Sequence, residues 1–297
     1  MSFAEELTRQ AAGLDDRFGA DRAAEFSLAL PDLVDRLLRD WQLRSGDRIS
    51  AGATSVVIDV TDAAGELSVL KLSPDAEFLA RQAGMLRHFA PTGRVPLVRK
   101  SSEELGAVLL ERVIPGVESD EDLPSLQDWA ALLRELHDTD PSGIEEALDA
   151  RCFDMFERIG ARQRMPEVRE HIPDTVWEAA VELCRSLLAS TDAPAAIHGD
   201  LHLGNALTSE RRGLVAIDPK LCVGDRCFDM VDFVIATGGP EEFTQRVHEL
   251  ARLTGVTPDR LLAWSRVNAV VTAISRTRWN GFTSRSADLL SFAGFAA

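Results

Sequence analysis

Apolar residues near the start of the chain keep to one side of a helix. Leu30, Leu33, Val34, Leu37, Leu38 and Trp41 recur at i, i+3, i+4, i+7, i+8 and i+11, with Pro31 in the first turn, and residues 4–29 before them are helix-prone and acidic. This helix is expected to pack on a lobe. After Gly46-Asp47 the period shortens to two, and Ser55 to Thr61 and Glu66 to Leu72 read as strands joined by the turn Asp62-Ala63-Ala64-Gly65. That hairpin is expected to start a sheet. Ser73-Pro74-Asp75 then opens a helix over 74–89, with Phe78, Gln82, Met85, Leu86 and Phe89 on its inward face. Val95 to Arg99 and Gly106 to Val113 form a second strand pair that runs into Ile114-Pro115-Gly116. Beyond it helical periodicity dominates, over Leu123 to His137, 143–160, 172–190, 240–254 and 258–279, around two short hairpins. A sheet-rich first part followed by a helical remainder is an α+β pattern.

The break in helical periodicity carries the chemistry. It reads His198-Gly199-Asp200-Leu201-His202-Leu203-Gly204-Asn205 and, after the apolar run Gly213 to Ile217, Asp218-Pro219-Lys220. A carboxylate five residues ahead of an amide, with a second carboxylate thirteen residues further on, is the arrangement of a phosphoryl-transfer centre. Transfer of a γ-phosphoryl group needs positioning and charge neutralisation more than covalent help. Asp200 reads as the base. Asn205 and Asp218 read as two hard oxygen ligands for Mg²⁺, which keeps waters and phosphates in its other positions. Asparagine occurs only at 205, 268 and 280 in the chain, and one of the three stands at the ligand position.

Lysine is equally scarce: of 32 basic side chains only Lys71, Lys100 and Lys220 are lysine. Lys71 ends the strand Ser68-Val69-Leu70-Lys71, where a compact ammonium suits the α- and β-phosphates of a nucleotide. Lys220 either approaches a γ-phosphate or pairs with Asp225. The chain has no GxxxxGK[ST] sequence, which disfavours a P-loop kinase.

The run HGDLHLGN, with AIDPK and the downstream GDRCFDMVDF, resembles the aminoglycoside phosphotransferase family. Its Asp-Pro-Lys ending is most similar to the streptomycin 6-phosphotransferase and hydroxyurea phosphotransferase branch. The resemblance spans roughly residues 45–290 and is strongest over 197–233. It implies a bilobal protein-kinase-like fold, with a small antiparallel-sheet N-lobe carrying one helix and a larger, mostly helical C-lobe. The boundaries expected are an N-terminal helical segment 1–45, an N-lobe 46–113 and a C-lobe 114–297, with Ile114-Pro115-Gly116 as linker. It further implies an ATP- and Mg²⁺-dependent kinase acting on a hydroxyl of a small molecule.

By this resemblance His198, Asp200 and Lys220 are the catalytic set, and one aspartate of the pair Asp225 and Asp229 holds the catalytic loop. Ala51-Gly52-Ala53-Thr54-Ser55 falls where the family covers the phosphates, so Gly52, Thr54 and Ser55 are candidate phosphate contacts through backbone N–H groups and a hydroxyl. Leu110 would back an adenine pocket, with the Glu111 carbonyl and the Val113 N–H reading the adenine edge. The chain departs from the family at Gln82, where a glutamate that pairs with the strand lysine is expected. Glu77, the nearest carboxylate upstream, lies about 140° away around the helix.

Charge narrows the partners. Asp and Glu total 48 against 32 Lys and Arg, a net charge of −16, which argues against nucleic acid because phosphates need a basic face. A cleft holding part of that charge would focus a cationic acceptor. No apolar run approaches the roughly 18 residues of a membrane span and the N-terminus has no apolar leader, so a cytoplasmic monomer or homodimer is expected. Cys152, Cys184, Cys222 and Cys227 lack zinc spacing and read as free buried thiols. The expected function is phosphorylation of a streptomycin-type aminoglycoside, as in antibiotic resistance. The alternatives are a metabolic kinase for an amino sugar or other small alcohol, and, from Gln82, a catalytically weak nucleotide-binding regulator.

Overall fold

The computed structural model describes residues 2–121 and 123–295, and the chain divides into two compact units, Met1–Gly116 and Val117–Ala297. The first unit opens with α1 (Phe3–Ala12), α2 (Asp15–Phe18) and α3 (Ala20–Trp41). They are followed by β1 (Leu43–Ala51), β2 (Val56–Asp62) and β3 (Leu67–Leu72), then α4 (Ala76–Phe89), β4 (Val98–Ser102) and β5 (Ala107–Glu111). The strands form one antiparallel sheet in the order β1-β2-β3-β5-β4. Alternation along the strands sorts their side chains by face. Val56, Ile58, Val60, Leu70, Leu72, Ala107 and Leu109 join Leu7 and Leu14 and Leu30, Val34 and Leu37 of α3 in one hydrophobic core. Lys71, between Leu70 and Leu72, therefore belongs to the opposite face.

Three local expectations are corrected. The helix read from Leu30 begins at Ala20, so Pro31 lies in its interior instead of its first turn. Ala23 and Ser27 extend the buried stripe of Leu30, Val34 and Leu37, and this burial outweighs the missing Pro31 N–H and the roughly 3 kcal/mol that an interior proline costs. The sheet starts one strand earlier, at β1. That strand is an edge, mostly exposed and irregular between Ser45 and Ile49, so it carries little of the alternation by which strands are read. In α4 the buried residues are Leu79, Gln82, Ala83, Leu86 and Phe89, whereas Phe78 and Met85 are half-buried. Asp75 caps this helix by accepting from the Phe78 N–H at 3.0 Å.

The unit boundary falls within β6 (Pro115–Glu118). The second unit is mostly helical: α5 (Leu126–His137), α6 (Leu148–Gln163), α7 (Pro166–Arg169) and α8 (Asp174–Ala189) precede β7 (Ala195–Ile197), β8 (Ala206–Ser209), β9 (Gly213–Ala216) and β10 (Cys222–Gly224). Four helices follow, α9 (Val231–Val234), α10 (Pro240–Thr254), α11 (Pro258–Asn280) and α12 (Ser284–Ala293). β8 and β9 form a hairpin, and β7 pairs with β10. The four cysteines are free and buried, and no helix among the described residues is long and apolar enough to cross a membrane.

Candidate active site

In the second unit the motif segments converge on two short pairings. β7 leads into residues 198–205, β8–β9 closes a hairpin, and β10 returns beside β7. Ala206 pairs with Ala216, and the Ile217 N–H donates to the Asn205 carbonyl at 2.9 Å, so Asn205 and Asp218 leave adjacent hairpin arms at the same end. Asp218 adopts φ 56°, a left-handed conformation uncommon for a residue with a side chain and concentrated at functional sites.

Hydrogen bonds hold the loop at several of its peptides. Asp229, wholly enclosed, accepts from the backbone N–H of His198 at 2.6 Å and of Gly199 at 2.8 Å, and from His137 Nε2 at 3.0 Å. Burial alone would raise the Asp229 carboxyl, but His137, His198 and the Gly199 N–H overcome it and hold it below its ordinary value. The Gly199 carbonyl is bound from the other side by Arg151 Nε at 2.9 Å. Gly199 itself has φ +76°, and a Cβ there would fall 2.4 Å from the Lys220 carbonyl oxygen. Asn205 Nδ2 donates to the Asp200 carbonyl at 2.9 Å, which fixes the amide and leaves Oδ1 as its acceptor atom.

The Asp200 carboxylate is one-third exposed and faces two cations. Lys220 Nζ lies 2.8 Å from Oδ2 and an Arg151 guanidinium nitrogen 4.0 Å from Oδ1. Burial pushes the Asp200 carboxyl up, and the charges of Lys220, Arg151 and His202 more than reverse it, so the group sits below its ordinary value. His198 is fully buried, and its Nε2 donates to the Ile217 carbonyl at 2.9 Å, which places its side chain against the residue preceding Asp218. Burial pushes its imidazole below the ordinary value. The choice left open for Lys220 is settled against Asp225: that carboxylate accepts from Arg260 Nε at 2.5 Å and Trp264 Nε1 at 2.6 Å and ties α11 to the segment after β10. Asp229, not Asp225, holds the loop.

The first unit places Lys71 against Gln82. Lys71 Nζ donates to Gln82 Oε1 at 2.7 Å, and both side chains are buried. Glu77 lies on the exposed side of α4, paired with Arg81 at 2.5 Å. Of the proposed phosphate contacts, Gly52 is exposed, Thr54 is half-buried with its carbonyl accepting from Ser73 Oγ at 2.7 Å, and Ser55 is buried. A Cβ at Gly52 would meet nothing within 4 Å, so sterics do not require glycine there. Glu111 ends β5, its N–H donating to the Leu97 carbonyl at 2.9 Å, and Val113 is buried two residues on. Arg151 and the partnership of His137 with Asp229 escape sequence reading, because nothing local marks them.

The donor set suits Mg²⁺. Among the described residues no group of three or more His, Cys, Asp or Glu side chains is assembled into a metal cage. What the hairpin end offers is one carboxylate, Asp218, and one amide oxygen, Asn205 Oδ1, the sparse oxygen-only set of a cation that also binds phosphates and water.

A sequence model of the aminoglycoside/hydroxyurea antibiotic resistance kinases matches residues 40–280. The chain is 27% identical over 269 residues to a hydroxyurea phosphotransferase of Kitasatospora aureofaciens, covering 88% of this chain and 77% of that protein. It is 31% identical over 224 residues to a streptomycin 6-kinase of Streptomyces griseus, covering 72% and 69%. In fold it is similar to the choline kinase LicA from Streptococcus pneumoniae, with a TM-score of 0.58 at 14% identity over 89% of this chain and 97% of that one. The fold is thus protein-kinase-like, and the chain belongs to the aminoglycoside/hydroxyurea antibiotic resistance kinases, a family of small-molecule phosphotransferases.

Proposed function

We propose that this protein transfers the γ-phosphoryl group of ATP, with Mg²⁺, to a hydroxyl of a cationic small molecule of the streptomycin type. The observation that carries the reading is the constellation of Asp200, Asn205 and Asp218 on one strand-ordered loop and hairpin, with Lys220 against Asp200. Asp200 orients the acceptor hydroxyl and takes its proton as the oxygen bonds to the γ-phosphorus and the bond to ADP breaks. A carboxyl held below its ordinary value is a weak base, so the proton moves late, as a loose phosphoryl-transfer transition state allows. Lys220 stabilises charge on the transferring group while keeping Asp200 ionised. Asn205 Oδ1 and Asp218 would hold Mg²⁺, which supplies neutralisation of phosphate charge when bound. Lys71, oriented by Gln82, engages the α- and β-phosphates, and Gly52, Thr54 and Ser55 cover them. Glu111 and Val113 read the adenine edge through their backbone. His198 acts as a positioning residue through the Ile217 carbonyl.

A second reading is a neutral hydroxylated acceptor, favoured by the similarity to a hydroxyurea phosphotransferase over 88% of this chain. Incubation of the purified protein with ATP, Mg²⁺ and a panel of cationic and neutral alcohols, with the phosphorylated position located by NMR, tests both. Phosphoryl transfer to streptomycin supports the first. Transfer restricted to neutral acceptors replaces it with the second, and transfer to none, with ATP bound, would leave a nucleotide-binding regulator.

A further inference from the structure

The sheet of the first unit has a second face, turned away from its hydrophobic core. Strand pairing sets Val57, Lys71 and Val108 in one rung of that face and Asp59, Val69 and Leu110 in the next, roughly 7 Å along the strands at about 3.3 Å per residue. Asp59 is thus a carboxylate on the face of Lys71, in a row with Val69 and Leu110. Gly46 of β1 passes so close that a Cβ there would fall 3.2 Å from that of Asp59, and the irregularity in this edge strand leaves it room. The partner of Asp59 is Arg112, the first residue beyond β5, which crosses over β3 to reach it. The Arg112 and Asp59 side chains are 23% and 29% exposed, so solvent screens the pair only in part. Ile58, Leu70 and Leu109 fill the core on the opposite face, and the pair closes no part of it. What it ties down is a segment that the ladder holds poorly, since the Arg112 N–H reaches the Leu67 carbonyl only at 3.5 Å. On the other flank the Glu111 N–H donates to the Leu97 carbonyl at 2.9 Å, and Glu111 Oε2 accepts from the Leu97 N–H at 3.1 Å.

We propose that the Asp59–Arg112 pair is a positioning device for purine recognition: by tethering the peptides from Glu111 to Val113 across β3, it fixes the carbonyl and N–H this segment offers a nucleotide and so sets a preference for adenine over guanine. Adenine presents an amino donor beside a ring-nitrogen acceptor, whereas guanine presents a carbonyl acceptor beside an N–H donor. The Glu111 carbonyl and the Val113 N–H match the first pattern and oppose the second. Opposition costs most where the backbone cannot shift, and a loosened segment turns to suit either base. The inference rests on the phosphotransferase reading given above, in which Glu111 and Val113 read the adenine edge, and concerns the phosphoryl donor of that site.

Calorimetric titration of the full chain with ATP and with GTP, each with Mg²⁺, tests it. Arg112→Met keeps the aliphatic stem and Asp59→Asn keeps the side-chain shape. Each is expected to weaken ATP binding about 3- to 10-fold while GTP binding moves less than about 2-fold, so that the preference narrows. Arg112→Lys keeps a cation facing Asp59 and should restore ATP affinity to within about 2-fold of wild type. The double variant should lose no more than either single one, because all three remove the same bond. If one of the two charge-removing variants does not fold, the other carries the test. Equal weakening of both nucleotides, or a lowered Tm with both affinities unchanged, marks a strut of the sheet and overturns the proposal. A wild type that binds ATP and GTP equally overturns it while the phosphotransferase reading stands. A wild type that binds neither overturns that reading, and this inference with it.

Discussion

Lys71 and Asp200 are charged groups assigned to the proposed chemistry, one in each unit, and the chain surrounds them differently. Lys71 is buried and oriented by a neutral amide, Gln82 Oε1 at 2.7 Å, at the position where the resemblance led to the expectation of a glutamate. Asp200 is one-third exposed and faces a lysine at 2.8 Å and an arginine at 4.0 Å. An amide fixes the direction of an ammonium without cancelling its charge, whereas two cations lower the proton affinity of a carboxylate as well as placing it. One arrangement orients a cation through an amide oxygen, and the other trades basicity for an ionised, oriented oxygen. Enzymes that need a strong base do the reverse and raise the carboxyl.

The comparison breaks most sharply at Asp200. Asp200→Ala should lower kcat about 10²- to 10⁴-fold, with ATP binding by calorimetry intact. Near-wild-type turnover would remove residues 198–205 from the chemistry. Lys220→Met comes next, at about 10²- to 10³-fold in kcat if the ammonium stabilises the transferring phosphoryl group. A loss below about tenfold would mean that Lys220 serves only to tune Asp200. Arg151→Ala should have a smaller effect on the plateau, about 3- to 10-fold, through the freed Gly199 carbonyl. Its pH signature is more informative. Asp200 must be ionised to act and its carboxyl is now held low, so losing one cation moves its titration upward and shifts the acid limb of kcat/KM to higher pH. An unmoved limb would separate Arg151 from the electrostatics of the base. The smallest effect is expected for Gln82→Glu, a gain of about 2- to 5-fold in kcat/KM for ATP, since a charge-assisted bond replaces a neutral one. A fall in affinity would show instead that ATP binding favours an amide over a carboxylate beside Lys71.

The parts of the site legible in the sequence are those that local geometry fixes. Asp200 and Asn205 lie on one turn of chain, Asp218 follows a hairpin of fixed register, and Lys71 and Gln82 follow from strand alternation and helix phase. What was illegible depends on distant chain segments. His137 meets Asp229 across 92 residues and Arg151 meets Gly199 across 48, and neither pairing leaves a local signature. Lys220 read as approaching a γ-phosphate or pairing with Asp225; its carboxylate partner, Asp200, lies in the preceding loop, while Arg260 and Trp264 pack around Asp225. The fold was obscured where burial is weak, as at edge strand β1, or where burial overrides a breaker, as at Pro31.

The enclosure of Asp229 sets how the catalytic loop moves. The amide protons of His198 and Gly199 end on a carboxylate whose side chain is wholly enclosed, one member of a lattice that also takes in His137. Those two protons can exchange with solvent only when this part of the second unit opens, and not by flexing of the loop alone. Protection at these two amides is therefore a direct readout of the free energy that keeps the base in register, one that a spectrometer can follow without any substrate.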